Sequence, residues 1–225
     1  MKLTNLVLEE AASFISPTGA RTLSLRELNL TSLDAISTLQ ASDIHSIIDL
    51  SNNKISFIET FPRLLHLNVL LLANNHIKRI SGLKNLINLE VLSISFNEIL
   101  YLSDLEELTH LPNLRGLYLN GNPIIKNKDY RLWCIWRFPS LQVLDFQRVT
   151  SVERKLATEK FKDATLVQSI LTIGSHRTLN DSEMGSNQTH VLSNEDRQRL
   201  EEDLMNAESL EEIQRLEEIL NSGKL

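Results

Sequence analysis

A single cysteine, Cys134, serves the whole 225-residue chain, so no intramolecular disulfide can form and a reducing compartment is expected. Its setting, "YRLWCIWRF", is apolar on most sides and reads as a buried thiol, not a nucleophile. No apolar run approaches the ~18 residues of a membrane span, and the N-terminus has no signal-peptide pattern; a cytosolic or nuclear protein is expected. Aromatics are scarce, with seven Phe, three Tyr and two Trp, which argues against one central aromatic core. The equipment of catalysis is missing as well. His45, His66, His76, His110, His176 and His190 stand at unrelated positions without metal-ligand spacing. There is no Gly-rich phosphate loop and no nucleophile elbow, and Asp49 and Asp145 lie four strands apart. Neither an enzyme nor a cofactor or metal site is expected.

What is abundant is leucine, and it recurs. "IIDLSNNKI" (47–55), "VLLLANNHI" (69–77), "VLSISFNEI" (91–99) and "GLYLNGNPI" (116–124) share the pattern L-x-x-L-x-L-x-x-N-x-I. The asparagines Asn53, Asn75, Asn97 and Asn122 give periods of 22, 22 and 25 residues, which is leucine-rich-repeat spacing. Weaker copies flank these four: "TLSLRELNL" (22–30), with Leu28 at the Asn position, and "VLDFQRVTS" (143–151), with Val149 there. The expected fold is an α/β solenoid of about six turns with a parallel sheet on its concave face. Each turn must leave its strand without stranding buried backbone groups, and an inward asparagine amide can bond them. The four asparagines are therefore read as a structural ladder.

Both ends of a solenoid need caps. At the front, "KLTNLVLEEAASFI" predicts a helix with Leu3, Leu6, Val7, Ala11 and Phe14 on one face and Thr4 as N-cap. At the back, residues 122–154 combine a turn at Pro123, an aromatic-rich helix, a break at Pro139 and a last strand, with Trp133 and Trp136 packed inside. The domains are read as an N-terminal helical cap (1–20), the repeats with their closing cap (21–163), a Ser/Thr/Asn/Gly-rich linker (164–192) and an amphipathic helical tail (193–225).

Function is then expected on the strand residues that point away from the core. Thr22, Ser24 and Arg26 stand at the front, with Gly116, Asn120, Val143, Asp145 and Gln147 toward the back. Between them Ile47, Val69, Leu71 and Val91, with Phe96 just beyond, form an exposed apolar strip bordered by Asp49, Ser93 and Tyr118. An amphipathic partner helix laid across the strands fits it. Net charge is −6 but uneven: Lys126, Lys128, Arg131 and Arg148 gather at the closing cap, while acid concentrates after 195. A basic cap can meet phosphate, although so acidic a chain should not hold nucleic acid strongly by itself.

The opening "KLT", the repeat register, the cap "NPIIKNKDYRLWCIWRFPSLQVLDFQRVTSVERKLATEKF" and the terminal "AESLEEIQRLEEILNSGKL" together resemble the A-prime protein family of the U2 small nuclear ribonucleoprotein, a spliceosome component. The resemblance covers nearly the whole chain. It implies a nuclear, non-enzymatic scaffold in pre-mRNA splicing whose concave face takes a helix of the RNA-recognition-motif protein U2 B-double-prime. The pair would bind stem-loop IV of U2 small nuclear RNA, with the basic cap toward the stem and the partner's sheet reading the loop. Other spliceosome proteins would dock on the C-terminal helices. A leucine-rich-repeat adaptor of another intracellular complex, of the phosphatase-regulator or dynein-associated type, shares the fold and the Tyr130–Arg131 cap and is the alternative.

Overall fold

Three residues are enough for a strand here, because only the central one has to reach the core. In the computed structural model, which describes residues 1–175, the repeat strands are β2 (Arg21–Ser24), β3 (Ile47–Asp49), β4 (Val69–Leu71), β5 (Val91–Ser93), β6 (Gly116–Tyr118) and β7 (Val143–Leu144). All six pair in parallel and in register, so Leu23, Ile48, Leu70, Leu92, Leu117 and Leu144 stack in one buried file. Further files of Leu and Ile, such as Leu50, Leu72 and Ile94, fill the coil behind the sheet. The convex side returns mostly through turns, with 3-10 segments at Ile36–Ser42, Leu102–His110 and Pro123–Lys126.

The paired asparagines have two jobs. The second of each pair turns inward. The Asn75 carbonyl accepts from the Ile55 N–H at 3.0 Å, and its amide donates to the Leu50 and Leu72 carbonyls at 3.1 Å each. Asn53, Asn97 and Asn122 repeat the arrangement one turn apart. The first of each pair is the hinge: Asn52 and Asn74 adopt φ of 59° and 56°, a left-handed conformation that Asn tolerates better than most residues. Their amides form a second, outer ladder, Asn74 to Asn52 at 3.0 Å and Asn52 to Glu27 at 2.9 Å.

The front cap departs from the sequence expectation. The helix α1 spans only Asn5–Glu10, with Thr4 accepting from the Val7 N–H. Leu3 is buried and Val7 and Ala11 pack against the core, but Leu6 is exposed. Phe14 lies in β1 (Ala12–Ile15), antiparallel to β2. The reason is the turn at Pro17–Gly19, where Gly19 takes φ of 82° and Ser16 and Ala20 close a hairpin. Pairing the otherwise open edge of β2 outweighs one more helical turn. The front cap is thus a short helix plus a strand.

At the back, α2 (Tyr130–Arg137) buries Tyr130, Trp133, Cys134 and Ile135, and Trp133 meets Trp136 and Phe161 at 5.3 and 5.2 Å between ring centroids. Full burial pushes the Cys134 thiol well up, which suits packing and not nucleophilic chemistry. A two-residue turn joins β7 to β8 (Gln147–Arg148), and α3 (Ser151–Lys160) follows. The expected linker does not begin at 164. Instead α4 (Ala164–Ser175) packs Leu166, Val167, Ile170 and Leu171 against the core beside the Leu102–His110 segment. Residues 176–225, which hold the remainder of the expected linker and the whole expected helical tail, lie outside the described residues.

The capping box of α3 makes a measurable prediction. Glu153 accepts from Arg131 at 2.7 Å and from the Thr150 N–H at 2.8 Å. The guanidinium first, and the Thr150 groups after it, hold its carboxyl at about 2. A carboxyl depressed in the folded state stabilises fully above its unfolded value of ~4.3, and loses that contribution as pH falls toward 2. Thermal midpoints followed between pH 5 and 2 should therefore fall, and the Glu153→Gln variant should fall less steeply; parallel curves would contradict the assignment.

Candidate protein- and RNA-binding surface

Strand register fixes which side chains share the concave face. One row runs across all eight strands as Phe14, Thr22, Ile47, Val69, Val91, Gly116, Val143 and Arg148, since cross-strand partners project to the same side. A parallel row holds Ala12, Ser24, Asp49, Leu71, Ser93 and Tyr118. The structure thus brings Ile47, Val69, Leu71 and Val91 together, each half-buried with its central neighbour fully buried. It also lengthens the strip at both ends, by Phe14 at the front and Val143 at the back. Phe14 was hidden from sequence reasoning because its pairing with Thr22 depends on the hairpin. The only signal was "SFIS" ahead of "PTG".

The border of the strip is polar and mostly satisfied from within. Asp49 accepts from the Ser51 N–H at 2.9 Å, with Arg26 4.0 Å away, and Ser95 donates to Asn120 at 2.7 Å. Gly116 leaves the floor low, since a Cβ there would touch Val91 at 3.4 Å. The eight strands span about 34 Å at the usual strand spacing, the length of a helix of about 22 residues.

Phe96 is placed differently from the rest of the predicted set. It belongs to no strand but to the line of left-handed turn residues Glu27, Asn52, Asn74, Phe96 and Gly121, with φ between 55° and 81°. Its ring rests on Gly121, where a Cβ would come within 2.4 Å of a ring carbon. Phe146, which sequence reasoning did not single out, follows Asp145 in the β7–β8 turn; both have positive φ, the type I′ geometry that ordinarily selects Asn-Gly or Asp-Gly. Its ring packs on Tyr118 at 4.7 Å.

The basic residues divide. Lys126, Lys128 and Arg148 are exposed and make no ion pair among the described residues. Arg131 is not presented to a ligand. Its guanidinium donates to Glu153 at 2.7 Å and to the Leu144 and Arg148 carbonyls at 3.3 Å, tying α2 to the closing hairpin and to α3. Val149 occupies the Asn position of the last turn and offers no amide, so the asparagine ladder ends at Asn122. The prediction of Arg131 as an RNA-proximal cation is corrected to a latch of the closing cap. Asp145 completes the latch, accepting from the Tyr130 hydroxyl and the Leu119 N–H at 2.7 Å each. Among the described residues no cluster of His, Cys, Asp or Glu could hold a metal ion.

With this geometry in place, a family model for the leucine-rich repeat matches residues 1–172. The chain is 35% identical to the U2 small nuclear ribonucleoprotein A′ of Schizosaccharomyces pombe, covering 100% of this chain and 99% of that protein. It is 34% identical to the Candida albicans protein of the same name, with 99% of each covered. The Yarrowia lipolytica protein is 42% identical over 98% of this chain and 86% of its own length. Among solved structures, a chain from the crystal structure of the Drosophila melanogaster SNF/U2A′ complex superposes with a TM-score of 0.71 at 31% identity, covering 76% of this chain and 99% of that one.

Proposed function

The chain belongs to the A′ family of the U2 small nuclear ribonucleoprotein, and on that premise we propose that it is a nuclear, non-enzymatic scaffold of pre-mRNA splicing. Its concave face would bind a helix of the RNA-recognition-motif partner, the U2 B-double-prime protein, and the pair would hold stem-loop IV of U2 small nuclear RNA. The observation that carries the reading is the in-register apolar row Ile47, Val69, Val91 with Leu71 beside it, on a sheet face that no element of the described chain covers. An apolar strip of that length, bordered by polar groups, matches a helix laid across the strands. The relative solved with SNF supports a protein partner for this fold.

The RNA half of the proposal rests on the unpaired cations of the closing cap. Each cation that neutralises a phosphate adds roughly one unit to the salt dependence of binding. Replacing Lys126, Lys128 and Arg148 by Gln should weaken RNA binding by the assembled pair and lower the slope of log affinity against log salt by about 2–3. Arg131→Gln should instead lower the melting temperature. An unmoved salt slope in the triple variant would remove the cap from the RNA interface. Calorimetric titration of the partner into this protein without RNA tests the other half, with 1:1 binding expected.

A further inference from the structure

The turns that end the concave face contain two residues that neither conformation nor burial explains. Glycine or asparagine is the usual occupant of a left-handed turn, as at Asn52, Asn74 and Gly121, yet phenylalanine stands at 96 in that line and at 146 in the β7–β8 turn, with φ of 55° and 64°. Both rings remain in solvent, Phe96 60% exposed and Phe146 75% exposed, so core packing does not offset the unfavourable backbone. Unexplained strain of this kind gathers at binding sites. The rings are also held in place: Phe96 lies against the bare backbone of Gly121, and Phe146 stacks on Tyr118 with centroids 4.7 Å apart. Tyr118 and Phe146 thus form a firm aromatic ledge joining the fifth repeat to the closing hairpin, and Phe96 stands separately on the Gly121 turn.

The free charge beside the Tyr118–Phe146 ledge is positive. Arg148 stands two residues beyond Phe146 on the same hairpin, exposed and without an acidic partner among the described residues. The one acid of that turn, Asp145, is occupied inward by the Tyr130 hydroxyl and the Leu119 N–H. Lys126, unpaired too, follows Gly121 within the 3-10 turn Pro123–Lys126. Rigid aromatic faces beside free cations are the combination that receives an unpaired nucleotide, the base on the ring and the phosphate on the cation.

We infer that the Tyr118–Phe146 ledge stacks an unpaired nucleobase of the bound RNA while Arg148 contacts its flanking phosphate. The inference rests on the RNA-binding role proposed above and adds a base contact by this chain itself, beside any made by the partner.

The test uses the full chain assembled with its partner and the U2 stem-loop RNA, labelled with 2-aminopurine at each unpaired position in turn. Quenching is expected at one position. Phe146→Asn should relieve it and weaken RNA binding about 10-fold, the scale of losing one stacked base. Partner affinity without RNA should stay unchanged, and the melting temperature should hold or rise, since Asn suits the left-handed turn. Unchanged RNA affinity and fluorescence in the variant would overturn the ledge alone. An equal loss of partner affinity without RNA would reassign the rings to a protein contact, and a lowered melting temperature to a structural role. Failure of the wild-type complex to bind the RNA at all would overturn the proposed function and the ledge together.

Discussion

Replacing Val69 and Leu71 together by Glu should abolish partner binding while leaving the circular dichroism spectrum and melting temperature close to wild type. Both side chains stand on the concave face of β4, half-buried, with the fully buried Leu70 between them. In the free protein the new carboxylates can reach water. Under a docked helix they would be trapped without partners, and uncompensated burial of charge is among the costliest changes an interface can meet. A loss of roughly 100-fold or more is expected. The matched control is Leu70→Glu, one residue away and pointing inward, which should unfold the array. An unfolded double variant would show that the register has been misread; a folded one that still binds would move the interface off this face.

The second large effect is on stability. Asn75→Leu keeps the side-chain size but removes the amide. The Leu50 and Leu72 carbonyls would each retain a bond, from Asn53 and Asn97 respectively. The Ile55 N–H would not, since Asn75 is its acceptor. One orphaned buried donor plus two lost bonds to shared carbonyls should cost about 3 kcal/mol. For a domain of this size that lowers the melting temperature by about 10 °C. Chemical denaturation of the two proteins side by side measures it, and a wild-type midpoint would contradict the ladder. The loss should spread beyond one turn, because each repeat is supported by its neighbours.

The contrast between these two experiments shows why some of the molecule was legible in the sequence and some was not. Repeat register was legible because one physical requirement, a buried file of aliphatic side chains with one polar turn per coil, recurs at Leu70, Leu72 and Asn75 and in every other turn. Once register is known, alternation along a three-residue strand decides that Val69 and Leu71 face outward. The ends of the array are not periodic, and there local pattern misled. Residues 3–14 carry a helical spacing, but the edge of β2 recruits Phe14 into a strand. Residues 164–175 carry Leu166, Val167, Ile170 and Leu171 at helical spacing, a signal masked by the Ser- and Gly-rich stretch behind them.

The basic cap failed at one residue for a similar reason. Charge counted along the chain cannot distinguish a cation that meets solvent from one that meets carbonyls, and Arg131 is of the second kind. The carbonyls it meets lie 13 and 17 residues further along the chain, beyond the reach of any local pattern. The aromatic turn residues were legible only in half. Phe96 interrupts the Asn-Asn pattern in plain view, but Phe146 becomes conspicuous only once Asp145 and Phe146 are seen in a turn that ordinarily selects glycine.

The central claim is that this chain is a protein-binding scaffold whose RNA contact depends on its partner. An electrophoretic shift of U2 stem-loop RNA with this protein alone, with the RNA-recognition-motif partner alone, and with both tests it most directly. The account predicts no discrete complex with this acidic chain alone, a weak shift with the partner, and a sharp, slower-moving ternary band with both. A ternary band that never forms, with partner and RNA each shown to be competent, would contradict it.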